Sequence, residues 1–283
     1  MRAKIAVENV SKTYATDQGP LPVLLGIDLA VGDGEFVALV GPSGCGKTTL
    51  LNIVAGFDRP DDGRVTIDGT ASRGPSRKGI VISQKGSVFP WLTVQQNLMF
   101  GLNGQRPNKK ALADHYVAMV GLRGFERGYP HELSGGMLKR VELARALVVK
   151  PEILYMDEPL AALDALTSLQ MRIELRRILE VERHTCLLIT HDVEEAIFLA
   201  DRILIFTARP AKIKTEIKIN LPKPRTLELK TTLEFLEIKK SVLQYTREES
   251  TKSRQEVAHR SEEATALKRD EHKFSLRRHK PEN

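Results

Sequence analysis

The segment EFVALVGPSGCGKTTLLNIVAGF, residues 35–57, is the most informative stretch of this 283-residue chain. It begins as a short, mostly apolar strand and ends with apolar side chains at helical spacing. Between the two lies GPSGCGKTT, residues 41–49, which matches the pattern G-x-x-x-x-G-K-[ST]. In such a strand–loop–helix context, glycine-rich backbone amides and the helix N-terminus form a concave anion site. The segment therefore predicts a loop that binds the phosphates of a nucleotide.

The residues of this loop have distinct predicted roles. The glycines let the backbone wrap closely around a phosphate, Lys47 supplies a positive charge to the β- and γ-phosphates, and the Thr48 hydroxyl can bind Mg²⁺. A glycine-rich turn that binds nothing is the alternative, and the flanking strand and helix argue against it. The predicted ATP phosphate-binding residues are Gly41, Pro42, Ser43, Gly44, Cys45, Gly46, Lys47, Thr48 and Thr49.

Strand and helix signals alternate on both sides of the loop. Residues 5–10 and 23–31 have strand patterns, while ILYMDEP and TCLLITHD are buried strands separated by an amphipathic segment at 165–183. Residues 111–149 are mostly helical in pattern. This alternation predicts an α/β domain with a largely parallel sheet and a helical insertion.

Two adjacent carboxylates stand at the end of the apolar strand predicted in ILYMDEP, residues 153–159. Phosphoryl chemistry needs a carboxylate for the metal ion and a group that positions water. Asp157 is the predicted Mg²⁺ ligand, and Glu158 is the predicted general base for the attacking water. The alternative is a solvated turn, which the nearby phosphate loop makes a poorer explanation.

A second possible anion site lies at LSGG, residues 133–136. Ser134, Gly135 and Gly136 precede a helical run and would present a hydroxyl and bare amides at its N-terminus. One nucleotide needs only one such cradle, so a second one suggests that it serves the nucleotide of another copy of the chain. From the residues alone, an ordinary capped helix remains the alternative.

Taken in order, GPSGCGKTT, Gln84, LSGG, ILYMDEP, LAALD and THD resemble the ATP-binding-cassette (ABC) ATPases over residues 1 to about 225. The resemblance implies a P-loop NTPase fold with a mixed, largely parallel core sheet, an antiparallel β subdomain and a helical subdomain at about 85–150. It also implies ATP and Mg²⁺ as cofactors, and a homodimer of ATPase subunits.

The same resemblance assigns roles to residues outside the phosphate loop. Tyr14 resembles the aromatic residue that stacks on adenine, and Gln84 the glutamine that contacts Mg²⁺ and water. Ser134, Gly135 and Gly136 resemble the signature that meets the γ-phosphate of the opposite subunit. Asp164 is similar to the loop aspartate that crosses the dimer interface, and His191 to the switch histidine at the γ-phosphate.

Three positions depart from the family's common pattern. Lys139 stands where a glutamine is frequent, Ser83 precedes Gln84 where phenylalanine is usual, and Leu160-Ala161 replaces a more familiar Phe-Gly. None of these changes removes a phosphate, metal or water ligand, so we expect altered packing or rate rather than loss of activity.

FPWLTVQQNLMFGL, residues 89–102, resembles the nitrate/sulfonate/taurine import ATPases, as do the phosphate-loop segment and residues 208–225. This resemblance implies ATP-driven solute uptake with a membrane permease that docks near Phe89 and Trp91, and an extracytoplasmic solute-binding protein. The apolar side chains around Phe89 and Trp91 could also be part of the core of the helical subdomain. Alternatives are a cassette for another solute or a soluble ABC ATPase without a transport role.

The net charge of +7 belongs to the C-terminal part of the chain. Residues 1–206 hold 24 basic and 24 acidic residues, whereas residues 207–283 hold 19 and 12. We expect a helical extension at 226–245 and a charged tail at 246–283 that is disordered, with a loose helix as the alternative. Contact of the tail with lipid headgroups is an alternative, and no nucleic acid partner is expected.

The sequence also predicts the cellular location of the protein. It has no run of about 18 apolar residues, and MRAKIAVENV lacks the apolar stretch of a secretory signal. Cys45 and Cys186 are too few for a disulfide framework. We therefore expect a reduced compartment and peripheral attachment to the cytoplasmic face of the membrane.

Overall fold

The computed structural model describes residues 3–17, 19–84, 86–102, 108–161 and 163–252. The strands are β1 (Ala3–Thr16), β2 (Gly19–Gly32), β3 (Phe36–Val40), β4 (Asp62–Ile67), β5 (Thr70–Ala71), β6 (Gly79–Ile82), β7 (Ile153–Asp157), β8 (Thr185–Ile189), β9 (Arg202–Phe206) and β10 (Ile213–Lys218). The α-helices are α1 (Lys47–Ala55), α2 (Val94–Phe100), α3 (Lys109–Met119), α4 (Gly135–Leu147), α5 (Ala165–Glu182), α6 (Val193–Leu199) and α7 (233–252). Short 3₁₀ helices lie at Pro130–Glu132 and Leu227–Thr231.

Within these residues the strands form two sheets. The central sheet has the order β10-β9-β3-β8-β7-β6, and all its pairs are parallel except that of β9 with β10. The second sheet, β2-β1-β4-β5, is antiparallel. The predicted α/β class, with a mixed core sheet, an antiparallel β subdomain and a helical subdomain, is confirmed.

The central strands are apolar throughout because both faces of the sheet are covered. Every residue of β3 and β8 is buried. Side chains alternate between faces along a strand, so Phe36, Ala38 and Val40 pack among the helices α2–α6, while Val37 and Leu39 pack against α1 and the antiparallel sheet. This two-sided burial is typical of parallel sheets.

The helical subdomain consists of α2, α3 and α4, which pack together on one side of the central sheet. Thr93 caps α2 in a capping box with Gln96. The amide of the fully buried Asn97 donates to the carbonyls of Phe89, Leu92 and Thr93. These bonds fix the loop that leads into α2.

The C-terminal extension packs against the main domain. The buried Arg225 guanidinium donates to the Ile197, Phe198 and Ala200 carbonyls at the end of α6. It thereby satisfies carbonyls that a helix C-terminus leaves open. On α7, Phe235 and Val242 enter the main core.

The extension is longer than the sequence suggested. The helix expected to end near 245 continues to 252, because the buried Glu249 accepts a bond from the Ala208 amide and pairs with Lys214. The part of the predicted tail at 246–252 is therefore corrected to helix, and residues 253–283 lie outside the described residues. Among the described residues, no helix combines the length and apolarity needed to cross a bilayer.

Phe235→Ala tests whether α7 is an integral part of the fold. The Phe235 side chain is buried in the core, so its removal should lower the free energy of unfolding by about 3–5 kcal/mol in urea denaturation. Leu233→Ala, on the same helix but 76% exposed, is the matched control and should change it by about 0.5 kcal/mol or less. Equal effects of the two variants would contradict this packing.

Candidate functional site

The phosphate loop lies between β3 and α1, with its backbone packed closely on two neighbours. Gly46 has φ 125°, and a Cβ there would lie 2.8 Å from the Val23 side chain. A Cβ at Gly41 would lie 2.8 Å from the Cβ of Phe206. Both positions need glycine, because any side chain would push the loop away from β2 and β9.

Lys47 is held inside the loop. Its buried ammonium group donates to the Gly41 and Pro42 carbonyls, each at 2.8 Å. The Cys45 thiol lies 3.9 Å from the same nitrogen and is buried. Burial raises the pKa of Cys45 and Lys47 partly opposes that rise, so the thiol stays protonated near neutral pH. The loop therefore holds the positive charge of Lys47 in a fixed position, and the protonated Cys45 thiol packs beside it.

The Thr48 hydroxyl donates to the Asp157 carboxylate at 3.0 Å, which joins the phosphate loop to the end of β7. Burial raises the pKa of Asp157, Glu158 adds to the rise, and Thr48 and Lys47 oppose it. A nearby cation would stabilise the ionised carboxylate. Thr48, Asp157 and the amide oxygen of Gln84 supply the hard oxygen ligands that Mg²⁺ prefers, so these residues fit that ion.

Glu158 lies where the ends of β6, β7 and β8 come together. One carboxylate oxygen accepts a bond from Gln84 Nε2 at 3.1 Å, and the other lies 3.1 Å from His191 Nδ1. Its own amide donates to the Ile189 carbonyl at 2.9 Å. The Glu158 backbone has φ 47°, a conformation that costs energy for a residue other than glycine. Such strained residues concentrate at functional sites.

The turn that carries His191 is fixed by its neighbours. The Thr190 hydroxyl donates to the buried Glu195 and accepts from the Asp192 amide, while Asp192 also pairs with Arg172. Burial raises the pKa of Glu195 to about 7, the Thr190 hydrogen bond opposing it. Glu195 and Arg172 also line a cleft of about 500 Å³ beside Glu158 and His191. No sequence motif pointed to Glu195.

Tyr14 lies at the edge of the phosphate loop, 37% exposed. Its hydroxyl donates to Asp58 at 2.7 Å, and Lys12 Nζ lies 5.2 Å from its ring centroid. Burial, aided by Asp58, raises the pKa of Tyr14, while the Thr49 hydroxyl opposes that rise. Lys12 and Asp58 thus position the predicted adenine-stacking ring, a role that no short motif around them revealed.

The predicted signature residues begin a different helix. Ser134 caps α4 by accepting from the Met137 amide at 3.3 Å, and both Ser134 and Gly135 are exposed. A Cβ at Gly136 would lie 2.7 Å from the Thr167 side chain on α5. Asp164 in turn caps α5 by accepting from the Thr167 amide at 3.0 Å, and hydrogen bonds from the Thr167 side chain and amide lower the pKa of its carboxyl group. The signature and the Asp164 loop therefore form one packed surface.

Three aromatic rings form a patch after the Gln84 loop, which we call the aromatic patch: Phe89, Trp91 and Phe100. The Phe89 centroid lies 5.5 Å from Trp91 and 4.5 Å from Phe100. Trp91 is 69% exposed and Phe100 62% exposed. The patch is therefore a surface rather than the core of the helical subdomain. Phe100 extends it beyond the residues singled out in the sequence.

Comparisons with known proteins agree with this geometry. Residues 24–161 match the family model described as ABC transporter. An uncharacterized ABC transporter ATP-binding protein of Methanocaldococcus jannaschii is 44% identical over 256 residues, 89% of this chain and 95% of that protein. The aliphatic sulfonates import ATP-binding protein SsuB of Bacillus cereus is 43% identical over 240 residues, 85% of this chain and 94% of that protein.

Solved structures agree as well. The dimeric structure of MJ0796, a bacterial ABC transporter cassette, matches with a TM-score of 0.68 and 29% identity, covering 77% of this chain and 100% of that one. Its post-hydrolysis state bound to ADP and Pi matches with a TM-score of 0.68 and 30% identity over the same shares.

Lys47→Ala tests the phosphate loop. Loss of the only ammonium group in the loop should weaken ATP binding about 10- to 100-fold, the usual contribution of charge-assisted hydrogen bonds. Fluorescent ATP-analogue titration of the purified chain measures this. Lys78→Ala, which removes a surface lysine paired with Asp68, is the control and should bind as the unsubstituted protein does. Unchanged affinity in Lys47→Ala would contradict the assignment.

Proposed function

The chain belongs to the ABC transporter ATP-binding family, and on that premise we propose that two copies close around two ATP molecules to drive solute uptake through a separate membrane permease. It is an ATP-binding, ATP-hydrolysing subunit. The observation that carries the proposal is the Glu158 carboxylate, which lies between Gln84 and His191 beside the Thr48–Asp157 pair. This is the arrangement that in-line attack of water on a γ-phosphate requires.

In the proposed hydrolysis the groups have distinct roles, and Gln84 has two of them. The loop amides and Lys47 bind the phosphates, and Tyr14 stacks on the adenine. Glu158 orients the attacking water and accepts its proton, while Gln84 and His191 hold the carboxylate from two sides. Thr48, Asp157 and Gln84 would hold Mg²⁺, which supplies positive charge to the β- and γ-phosphates. Preorganisation of these groups on strand ends means that little has to move during the reaction.

Closure of two copies would complete the site. Ser134 and Gly135 are exposed at the start of α4, where the amides and the helix dipole favour an anion. We propose that this end binds the γ-phosphate held by the partner subunit, with Asp164 crossing the interface beside it. The dimeric form of the similar cassette supports the proposal.

The aromatic patch is the proposed docking surface for the permease. Large exposed aromatic side chains are typical of interfaces, and Phe89 lies five residues after Gln84, so docking would reach the hydrolytic centre along a short segment. The similarity to the sulfonate import protein supports uptake of an aliphatic sulfonate or a similar small anion, delivered by an extracytoplasmic binding protein. The chain would then act peripherally at the cytoplasmic face of the membrane.

Glu158→Gln should separate binding from hydrolysis. The amide keeps the size of the side chain but cannot accept the proton of water, so turnover should fall about 100-fold or more while ATP still binds. Gel filtration with ATP should then show an accumulated dimer. Glu152→Gln, at the opposite end of β7, is the matched control and should retain normal turnover. Full activity in Glu158→Gln would remove it from the role of general base.

Removal of the aromatic patch tests the transport role. Trp91→Ala with Phe100→Ala should weaken co-purification with a co-expressed permease from the neighbouring genes about 30-fold, the effect of losing an interface hot spot. The ATPase activity of the isolated chain should be unchanged. Leu233→Ala, an exposed apolar side chain on α7, should not affect co-purification. Failure of the unsubstituted chain to bind any permease would favour a soluble ABC ATPase.

A further inference from the structure

One face of α4 carries three charged side chains directed at the loop that contains Gln84. Lys139, Glu142 and Arg145 lie three residues apart, so they stack along one side of the helix. Lys139 contacts the Ser83 carbonyl, and Glu142 and Arg145 both contact the Ser87 hydroxyl. Through this face, α4, which begins at the signature, is attached to the loop whose Gln84 contacts Glu158.

Lys139 holds the backbone of Gln84. Its ammonium group donates to the Ser83 carbonyl at 3.2 Å, to the Gln84 carbonyl at 3.4 Å and to Glu142 at 2.8 Å. The Lys139 side chain is largely buried. The side chain of the same Gln84 donates to Glu158. The lysine therefore fixes the main chain of the residue that contacts the general base.

Glu142 and Arg145 hold the next part of the loop. The Glu142 side chain is 2% exposed, and one of its oxygens accepts from the amide and hydroxyl of Ser87, at 2.9 and 2.7 Å. Arg145 also donates to the Ser87 hydroxyl at 2.5 Å, and its guanidinium lies 4.8 Å from the Phe89 ring centroid. The contacts thus run from Ser83 to the aromatic patch.

Stabilisation of the fold alone does not account for the buried Lys139–Glu142 ion pair. Burial of two charges costs desolvation energy, and apolar side chains of similar size often stabilise a protein equally well. Paired charges with several directed hydrogen bonds instead fix one geometry. Here that geometry determines where the Gln84 amide lies relative to Glu158.

We propose that Lys139 and Glu142 are positioning residues that lock the Gln84 loop to α4, so that movement of the signature end of that helix moves Gln84 with it. The proposal rests on the proposed role of Gln84 in hydrolysis. It also gives a function to Lys139, the unusual residue after the signature. Lys139 contacts the main chain of Gln84, and Glu142 holds Lys139 and Ser87, so both would act through the position of Gln84.

The test is a double-mutant cycle on the full chain. Lys139→Met with Glu142→Gln removes both charges of the ion pair together and keeps side chains of similar size. It should lower kcat for ATP hydrolysis about 10-fold, with the Kd for ATP unchanged within about twofold because the phosphate loop is intact. In a Gln84→Ala background the same pair of substitutions should lower kcat no further. Arg140→Met, a neighbouring cation that donates to the Val120 carbonyl, is the matched control and should leave kcat unchanged.

The outcomes are distinguishable. If Gln84→Ala alone keeps full turnover, the proposed role of Gln84 fails. If Gln84→Ala slows turnover but the pair of substitutions slows it by the same factor again, the pair is merely structural and the proposal is overturned. Lys139→Gln with Glu142→Gln, which retains donors and acceptors, should recover kcat to within about threefold. If the variant with Lys139→Met and Glu142→Gln unfolds, Ser87→Ala is measured in its place. A loss of kcat caused by Ser87→Ala that persists in the Gln84→Ala background overturns the proposal.

Discussion

The register of the parallel strands is the constraint on which the site depends. Ile82 pairs with Met156, Asp157 with Ile189, and Leu39 with the same Ile189. The residues that follow these pairs therefore emerge at one edge, where Gln84, Glu158 and His191 meet. Side chains alternate along a strand, so a slip of one residue in β7 would turn Asp157 and Glu158 away from their partners. Close packing on both faces resists such a slip, because each face would then have to accept side chains of different size and shape.

The elements around the sheet convert that edge into a site. Gly41 and Gly46 let the phosphate loop lie directly on β9 and β2, which brings the Thr48 hydroxyl to Asp157. Tight packing also removes water, and its effect is visible in the raised pKa of Asp157. The same burial makes the paired, hydrogen-bonded arrangement of the charges necessary, since an isolated charge there would be costly.

The helical subdomain and the C-terminal extension attach to this centre by charged contacts. Lys139 and Glu142 bind the Gln84 loop to α4, and Arg225 binds the extension to the end of α6. On α6, Glu194 joins Lys230 and Lys239 of the extension, and these cations lower the pKa of Glu194 to about 2. Movements of either peripheral part are thus connected to the turns that carry Gln84 and His191.

Local sequence patterns are enough to predict the α/β class, the phosphate loop and the residues at the strand ends. These features depend on local patterns: a glycine-rich turn between strand and helix, apolar strand runs, and carboxylates directly after them. Tertiary structure decided the rest. Contacts between residues distant in the chain produce the burial of Glu195, the contacts of Lys139 and Glu142 with Gln84 and Ser87, and the pairing of Tyr14 with Asp58. The extension of α7 to 252 likewise depends on packing against distant residues. Charged residues on a helix are ordinarily solvated, and only the packed neighbours reveal which of them are buried and what they hold.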